Sequence, residues 1–187
     1  MGSLKGEHGD GTMIRYPAEL EEHWDAAGEH LTIRPVRPDD VGRERAFFGR
    51  LTPEDIRLRF FAAVRELTPA QLARFTRIDY ERDMAFVAVR DATDEIVGVA
   101  RLARNDDTGA DEFAVVVQQD VKGKGLGTHM MRRLIDWARQ HRITEICGEI
   151  LAENTNMLLF ARNLGFTLRH LPADPEIVEA RLVLGPR

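Results

Sequence analysis

The sequence predicts an α/β (α+β) fold in which helices flank a sheet that is mostly antiparallel. Three observations carry this. M-A-F-V-A-V-R (84–90) and E-I-V-G-V-A-R-L (95–102) are β-branched-rich runs separated by D-A-T-D, the pattern of a hairpin. D-E-F-A-V-V-V (111–117) reads as a third antiparallel strand, and it runs through glycines at 123, 125 and 127 into the helical pattern H-M-M-R-R-L-I-D-W-A-R. Beyond that helix, strand and helix patterns alternate to the end of the chain.

Residues 1–15 are glycine-rich and polar and read as a flexible tail, with one domain over 16–187. Tyr16 to His30 reads as an acidic lead-in, helical or irregular. L-T-I-R (31–34) is a short first strand, stopped by Pro35 and Pro38. Asp39 and Asp40 are then placed to cap a helix reaching about Arg50. T-P-E-D and T-P-A-Q each set Thr at an N-cap and Pro at the first helical position, so helices begin near 53 and 69. After the strand near 111–118 come a helix at about 124–141, a strand at 144–151, a helix at 154–164 and closing strands at 166–171 and 177–184. No repeat or low-complexity segment interrupts this order.

A chain of 187 residues is long enough to bury one sizeable core. Hydrophobic residues at 43% and charged residues at 30% are the proportions of an ordinary soluble protein. No apolar run approaches a membrane span, the N-terminus has no signal-peptide core, and Gly6 stands where a myristoylation site needs Ser or Thr; a cytoplasmic protein is expected. The single cysteine, Cys147, lies in an apolar strand pattern and reads as core rather than nucleophile. Six scattered histidines show no metal-ligand spacing, so no metal is expected. A net charge of −5 argues against nucleic acid and mildly favours basic targets such as lysine-bearing surfaces.

The segment V-V-V-Q-Q-D-V-K-G-K-G-L-G-T (115–128) is the most informative in the chain. A strand that passes through closely spaced glycines into a helix N-terminus aims several unpaired backbone N–H groups at one spot, where the helix dipole favours negative charge. That is a cradle for a diphosphate. A Walker loop needs G-x-x-x-x-G-K-[ST], and Lys124 and Thr128 are misplaced for it. A Rossmann fingerprint needs a third glycine where Thr128 stands, although Glu149 lies near the distance of a ribose-binding acid. The motif also falls in the last third of the chain, which leaves too few strands for a dinucleotide fold.

Lys122 to Gly127 resembles the coenzyme A pyrophosphate loop of the GNAT N-acetyltransferase superfamily, Q/R-x-x-G-x-G/A, with Lys122 in place of the usual Gln or Arg. The second half of that signature follows in E-N-T-N-M-L-L-F-A-R-N-L-G-F (153–166): Asn154 matches the asparagine that opens the next helix, and Gly165-Phe166 its close. R-P-V-R-P-D-D (34–40), R-L-R-F-F (57–61), F-T-R-I-D-Y (75–80), G-V-A-R-L (98–102), D-E-F-A-V-V-V and V-E-A-R-L-V-L (178–184) are similar to bacterial protein lysine acetyltransferases of the Pat type, from about Tyr16 onward. The resemblance implies a sheet splayed between its fourth and fifth strands, with acetyl-CoA as cosubstrate and no metal. It also implies transfer to the ε-amino group of a protein lysine, the partner being an AMP-forming acyl-CoA synthetase. A GNAT acting on a small amine and a non-catalytic acyl-CoA sensor are the alternatives.

The resemblance assigns coenzyme A to Lys122, Gly123, Lys124, Gly125, Leu126, Gly127 and Thr128, with main-chain groups of Val115 and Val117 pairing the pantetheine arm. Asn154 either bonds that arm or caps its own helix. The acceptor lysine has an ordinary pKa of about 10.4 and must lose a proton before attack. Glu112 aligns with the catalytic glutamate of Pat relatives, and a carboxylate in a partly apolar site is suited to that work. Strand alternation sends Asp111 to the opposite face. Glu149 is a weaker candidate. Many GNAT enzymes carry a general-acid tyrosine seven residues after the asparagine; here Ala161 occupies that position.

Overall fold

A computed structural model describes residues 14–26 and 28–185, so the tail expected over 1–15 lies almost wholly outside the described residues. Eight strands form one sheet: β1 (Glu22–Ala26), β2 (Glu29–Pro35), β3 (Met84–Arg90), β4 (Glu95–Arg104), β5 (Asp111–Val117), β6 (Glu145–Leu151), β7 (Thr167–Leu171) and β8 (Asp174–Val183). Their order is β1-β2-β3-β4-β5-β6-β8-β7, antiparallel throughout except where β5 meets β6. The helices are α1 (Val41–Gly49), α2 (Pro53–Phe60), α3 (Pro69–Thr76), α4 (Leu126–Gln140) and α5 (Thr155–Asn163).

β4 shows why helices cover both faces. A side chain at Gly98 would meet Leu126 and Met130 of α4, whereas Arg101, three residues on, reaches Glu44 of α1 and Phe75 of α3. Residues an odd number apart on a strand point to opposite sides. α4 therefore covers one face and α1 to α3 the other. Met84 to Val89 are all buried, as a central strand sandwiched between helices requires. Thr52 and Thr68 cap α2 and α3 with reciprocal Thr–Asp and Thr–Gln bonds.

Two expectations need correction. The lead-in at 16–30 is irregular only in its first part, around one 3-10 turn at Ala18–Leu20; from Glu22 it forms β1 and, from Glu29, the start of β2. E-H-W-D-A carries no apolar alternation because β1 is an edge strand, where charged residues are well tolerated. Asp40 does not cap α1 with its side chain. Its buried carboxylate accepts both Arg34 Nη atoms at 2.7 Å and the Arg37 backbone N–H at 2.8 Å. This clamp joins the end of β2 to the start of α1.

Burial alone would raise the Asp40 pKa, but the Arg34 and Arg37 bonds outweigh it and hold the group below its ordinary 3.8. A carboxyl depressed in the folded state adds stability above its unfolded pKa and loses it as pH falls through the folded value. Asp40→Asn should lower stability by about 3–5 kcal/mol at neutral pH, because it strands the buried Arg34 charge. Denaturant titration should show this deficit shrinking as pH falls below about 3.8.

Candidate active site

Two strands that should be neighbours are barely joined. β5 and β6 share one bridge, Glu112 with Cys147, while β6 pairs along its whole length with β8. Next to that bridge the Phe113 ring lies over β6, and a Cβ at Gly148 would meet it at 2.6 Å. The same ring packs on Phe166, centroids 4.8 Å apart. A glycine in β6 thus leaves room for an aromatic wedge, and β5 runs on past it without a partner on its β6 side. The gap is a cleft of about 550 Å³ whose wall includes Glu112, Val115, Val117, Lys122, Gly127 and Asn154. The expected splay between fourth and fifth strands lies between β5 and β6, the numbering moved by the unforeseen β1.

The glycine loop closes one end. Gly123 and Gly125 have φ of +78° and +89°, a left-handed backbone that disfavours side chains, and a Cβ on either would meet nothing within 4 Å. Conformation and open space, not crowding, demand these glycines. The first α4 bond runs from His129 N–H to Gly125 O at 3.0 Å, so the N–H groups of Leu126, Gly127 and Thr128 precede the helical ladder. A Cβ at Gly127 would lie 3.9 Å from the Val115 and Val117 side chains. Leu126 has only its main chain to offer a ligand, its side chain being fully buried. Lys122 and Lys124 are ion-paired to Asp55 and Glu29, which leaves the amides and the helix dipole as the loop's groups suited to an anion. Gly123, Lys124, Gly125, Leu126 and Thr128 do not line the cleft wall, and Gly123 and Gly125 are exposed.

Asp111 and Glu112 diverge as strand alternation requires. Asp111 is half-buried against Arg104 at 3.4 Å, with its pKa raised by burial against the pull of that arginine. Glu112 accepts a hydrogen bond from Asn105 Nδ2 at 2.8 Å, and its carboxylate is exposed at the cleft mouth instead of lying in a partly apolar site. Glu149 lines the same cleft from β6. Cys147 is half-buried, and burial followed by the charges of Glu112 and Glu179 pushes its thiol up to about 11. It is no nucleophile at neutral pH.

Asn154 Oδ1 accepts the Met157 N–H at 3.1 Å, the N-cap role, and Asn154 still lines the cleft. Its Nδ2 makes no hydrogen bond among the described residues and is left for a ligand. Ala161 is fully buried, so nothing at that position donates a proton to the cleft. Arg59 of α2 was not singled out by the sequence beyond its place in R-L-R-F-F, and it too reaches the cleft wall. Its only signal was the position, next to the last residue of a half-buried helix whose Ile56 and Phe60 pack on the core. Among the described residues no cluster of three metal-ligating side chains occurs.

A family model for the acetyltransferase (GNAT) domain matches residues 30–167. The chain belongs to the GNAT acetyltransferases. An acetyltransferase of Pseudomonas aeruginosa is 37% identical over 168 residues, 87% of this chain and 90% of that one. The acetyltransferase Pat of Mycolicibacterium smegmatis is 29% identical over 140 residues, 74% of this chain but only 41% of Pat. The GNAT domain of S. lividans PAT superposes with a TM-score of 0.83 over 91% of this chain and all of that one, at 24% identity, which speaks for the fold. The GNAT chain is accordingly an acetyl-CoA-dependent N-acetyltransferase. Its unpartnered β5 edge and the amides after Gly125 fit the pantetheine and diphosphate of coenzyme A. That cosubstrate supplies the activated acyl thioester, and the chain positions it.

Gly125→Glu should cut coenzyme A affinity more than 100-fold in calorimetry, because it adds a negative charge beside the amides suited to the diphosphate. Gly125→Ala, which adds backbone strain of roughly 1–2 kcal/mol without charge, should lose much less. Equal losses would mean that the loop acts through its conformation alone.

Proposed function

We propose that this GNAT enzyme acetylates the ε-amino group of a lysine on a protein, the partner being an AMP-forming acyl-CoA synthetase. Glu112 acts as general base in a direct attack within a ternary complex. The observation that carries the reading is the position of Glu112: an exposed carboxylate at the open mouth of a cleft built for coenzyme A. A lysine is the longest flexible amine a folded partner can present, and a carboxylate at the rim lies within its reach. Asn105 Nδ2 holds one carboxylate oxygen and leaves the other for the amine or for one water between them.

The turn that supplies Asn105 adds Asp106 and Asp107, both exposed, and this acidic lip suits a cationic target surface. Similarity to the mycobacterial Pat over 74% of the chain supports the same reading. The amine nitrogen attacks the thioester carbon, a C–N bond forms, the C–S bond breaks, and the thiolate takes its proton from water. A thiol of pKa about 8.5 leaves without a dedicated acid, in keeping with Ala161.

Incubation with labelled acetyl-CoA tests the proposal, with an AMP-forming acyl-CoA synthetase, spermidine and free amino acids as competing acceptors. Label on one or a few synthetase lysines, with little coenzyme A release from the free amines, is the expected result. Glu112→Gln should slow transfer by roughly 10²–10⁴-fold, with Asp111→Asn affecting it modestly. Preferred use of a free amine would replace the protein acceptor by a small molecule. Tight acetyl-CoA binding with no transfer to any acceptor would make the chain a sensor.

A further inference from the structure

Behind β5, on the face covered by α1 to α3, lies a second cavity of about 40 Å³. By the space one ordered water needs, it has room for roughly three waters. It adjoins the coenzyme A cleft: Arg59, Ala114, Val115 and Val116 line both. Most of its remaining wall is aromatic and aliphatic, but two guanidinium groups break that wall. Arg101 donates to the Phe75 carbonyl at 2.6 Å and stands 3.8 Å from the buried Glu44, whose Oε1 has no hydrogen-bond partner. Arg59 has neither an ion pair nor a hydrogen bond among the described residues; its guanidinium stacks 5.0 Å from the Phe60 centroid, at the junction of the two spaces.

Arg59 is half-buried, and a partly desolvated cation without a counterion is costly; a ligand can supply the missing charge. Burial lowers the pKa of Arg59, with only the charge of Glu112 opposing it. Burial, partly opposed by Glu44, likewise brings Arg101 down to about 10. Glu44 is no full counterion, since burial raises it to about 7 despite Arg101. A methyl-ended acyl group offers these cations nothing. An acyl chain that ends in a second carboxylate matches both the charge and the short extra depth.

We propose that the acyl pocket accepts a short dicarboxylic acyl group, of the succinyl or malonyl class, with Arg59 pairing its distal carboxylate at the mouth of the inner cavity. Arg59 is then the residue that sets donor specificity. This rests on the coenzyme A reading of the cleft and is independent of the lysine acceptor. The transfer itself is unchanged: the C–N bond forms, the C–S bond breaks, coenzyme A leaves as the thiol, and the distal carboxylate stays intact on the product.

Calorimetry on the full chain, without any acceptor, tests it with coenzyme A, acetyl-CoA, butyryl-CoA and succinyl-CoA. Succinyl-CoA should bind at least tenfold more tightly than butyryl-CoA, its nearest uncharged counterpart, and at least as tightly as acetyl-CoA. Arg59→Gln should bring the succinyl-to-butyryl ratio toward one, while Arg59→Lys keeps part of it. Butyryl-CoA binding as well as succinyl-CoA would overturn the proposal, and the unsubstituted chain decides this whatever the variants do. A preference that survives Arg59→Gln in a folded protein would overturn the role of Arg59. Loss of the carboxylate preference with coenzyme A binding intact refutes this inference alone, whereas failure of coenzyme A itself to bind refutes the cleft reading beneath it.

Discussion

The site depends on one incomplete pairing. β5 is satisfied on its β4 side over its full length, yet touches β6 at a single residue pair. A sheet interior normally leaves no backbone group unpaired, since each buried orphan costs about 1–3 kcal/mol. The Phe113 wedge over Gly148 enforces the departure, and the β6–β8 ladder keeps β6 from closing it. The result is an internal strand with a free edge, which a ligand bearing its own amides can complete as an added strand does. Every other part of the site is arranged around that edge.

The glycine loop follows from the same geometry. β5 ends at Val117 and a turn of eight residues delivers the N-terminus of α4 beside it, so unpaired strand amides pass into unpaired helix amides. α2 spans the opposite side. Its Asp55 pairs with Lys122 of the loop, its Arg57 with Glu153 beyond β6, and its Arg59 turns into the cleft. The pairs on this eight-residue helix are partly exposed, each worth about 0–1 kcal/mol, so they position α2 more than they stabilise it. Replacing the usual Gln or Arg by Lys122 matters little where Asp55 already neutralises it.

Much of this was legible because local chemistry and tertiary role agreed. The two T-P caps, the 84–104 hairpin and the strand–glycine–helix passage each satisfy a short-range rule, and the structure places elements there. β1 was not legible: E-H-W-D-A has an edge strand's charges, and Trp24 packs on the core without an apolar alternation around it. Asp40 looked like a cap because its neighbours fit one; its partnership with Arg34 is set by how β2 meets α1. The exposed setting of Glu112 and the half-buried, unpaired setting of Arg59 are tertiary facts as well. One stands where β5 leaves β6 and the other where α2 crosses β5, and neither crossing has a signature within a few residues of sequence.

The free β5 edge is the claim on which the rest stands, and amide hydrogen exchange with and without coenzyme A measures it directly. Binding should slow exchange in peptides covering Ala114 to Val117 and Leu126 to Thr128, with little change in β7 or β8. Unchanged exchange along β5 at saturating coenzyme A, or protection confined to other strands, would contradict the account.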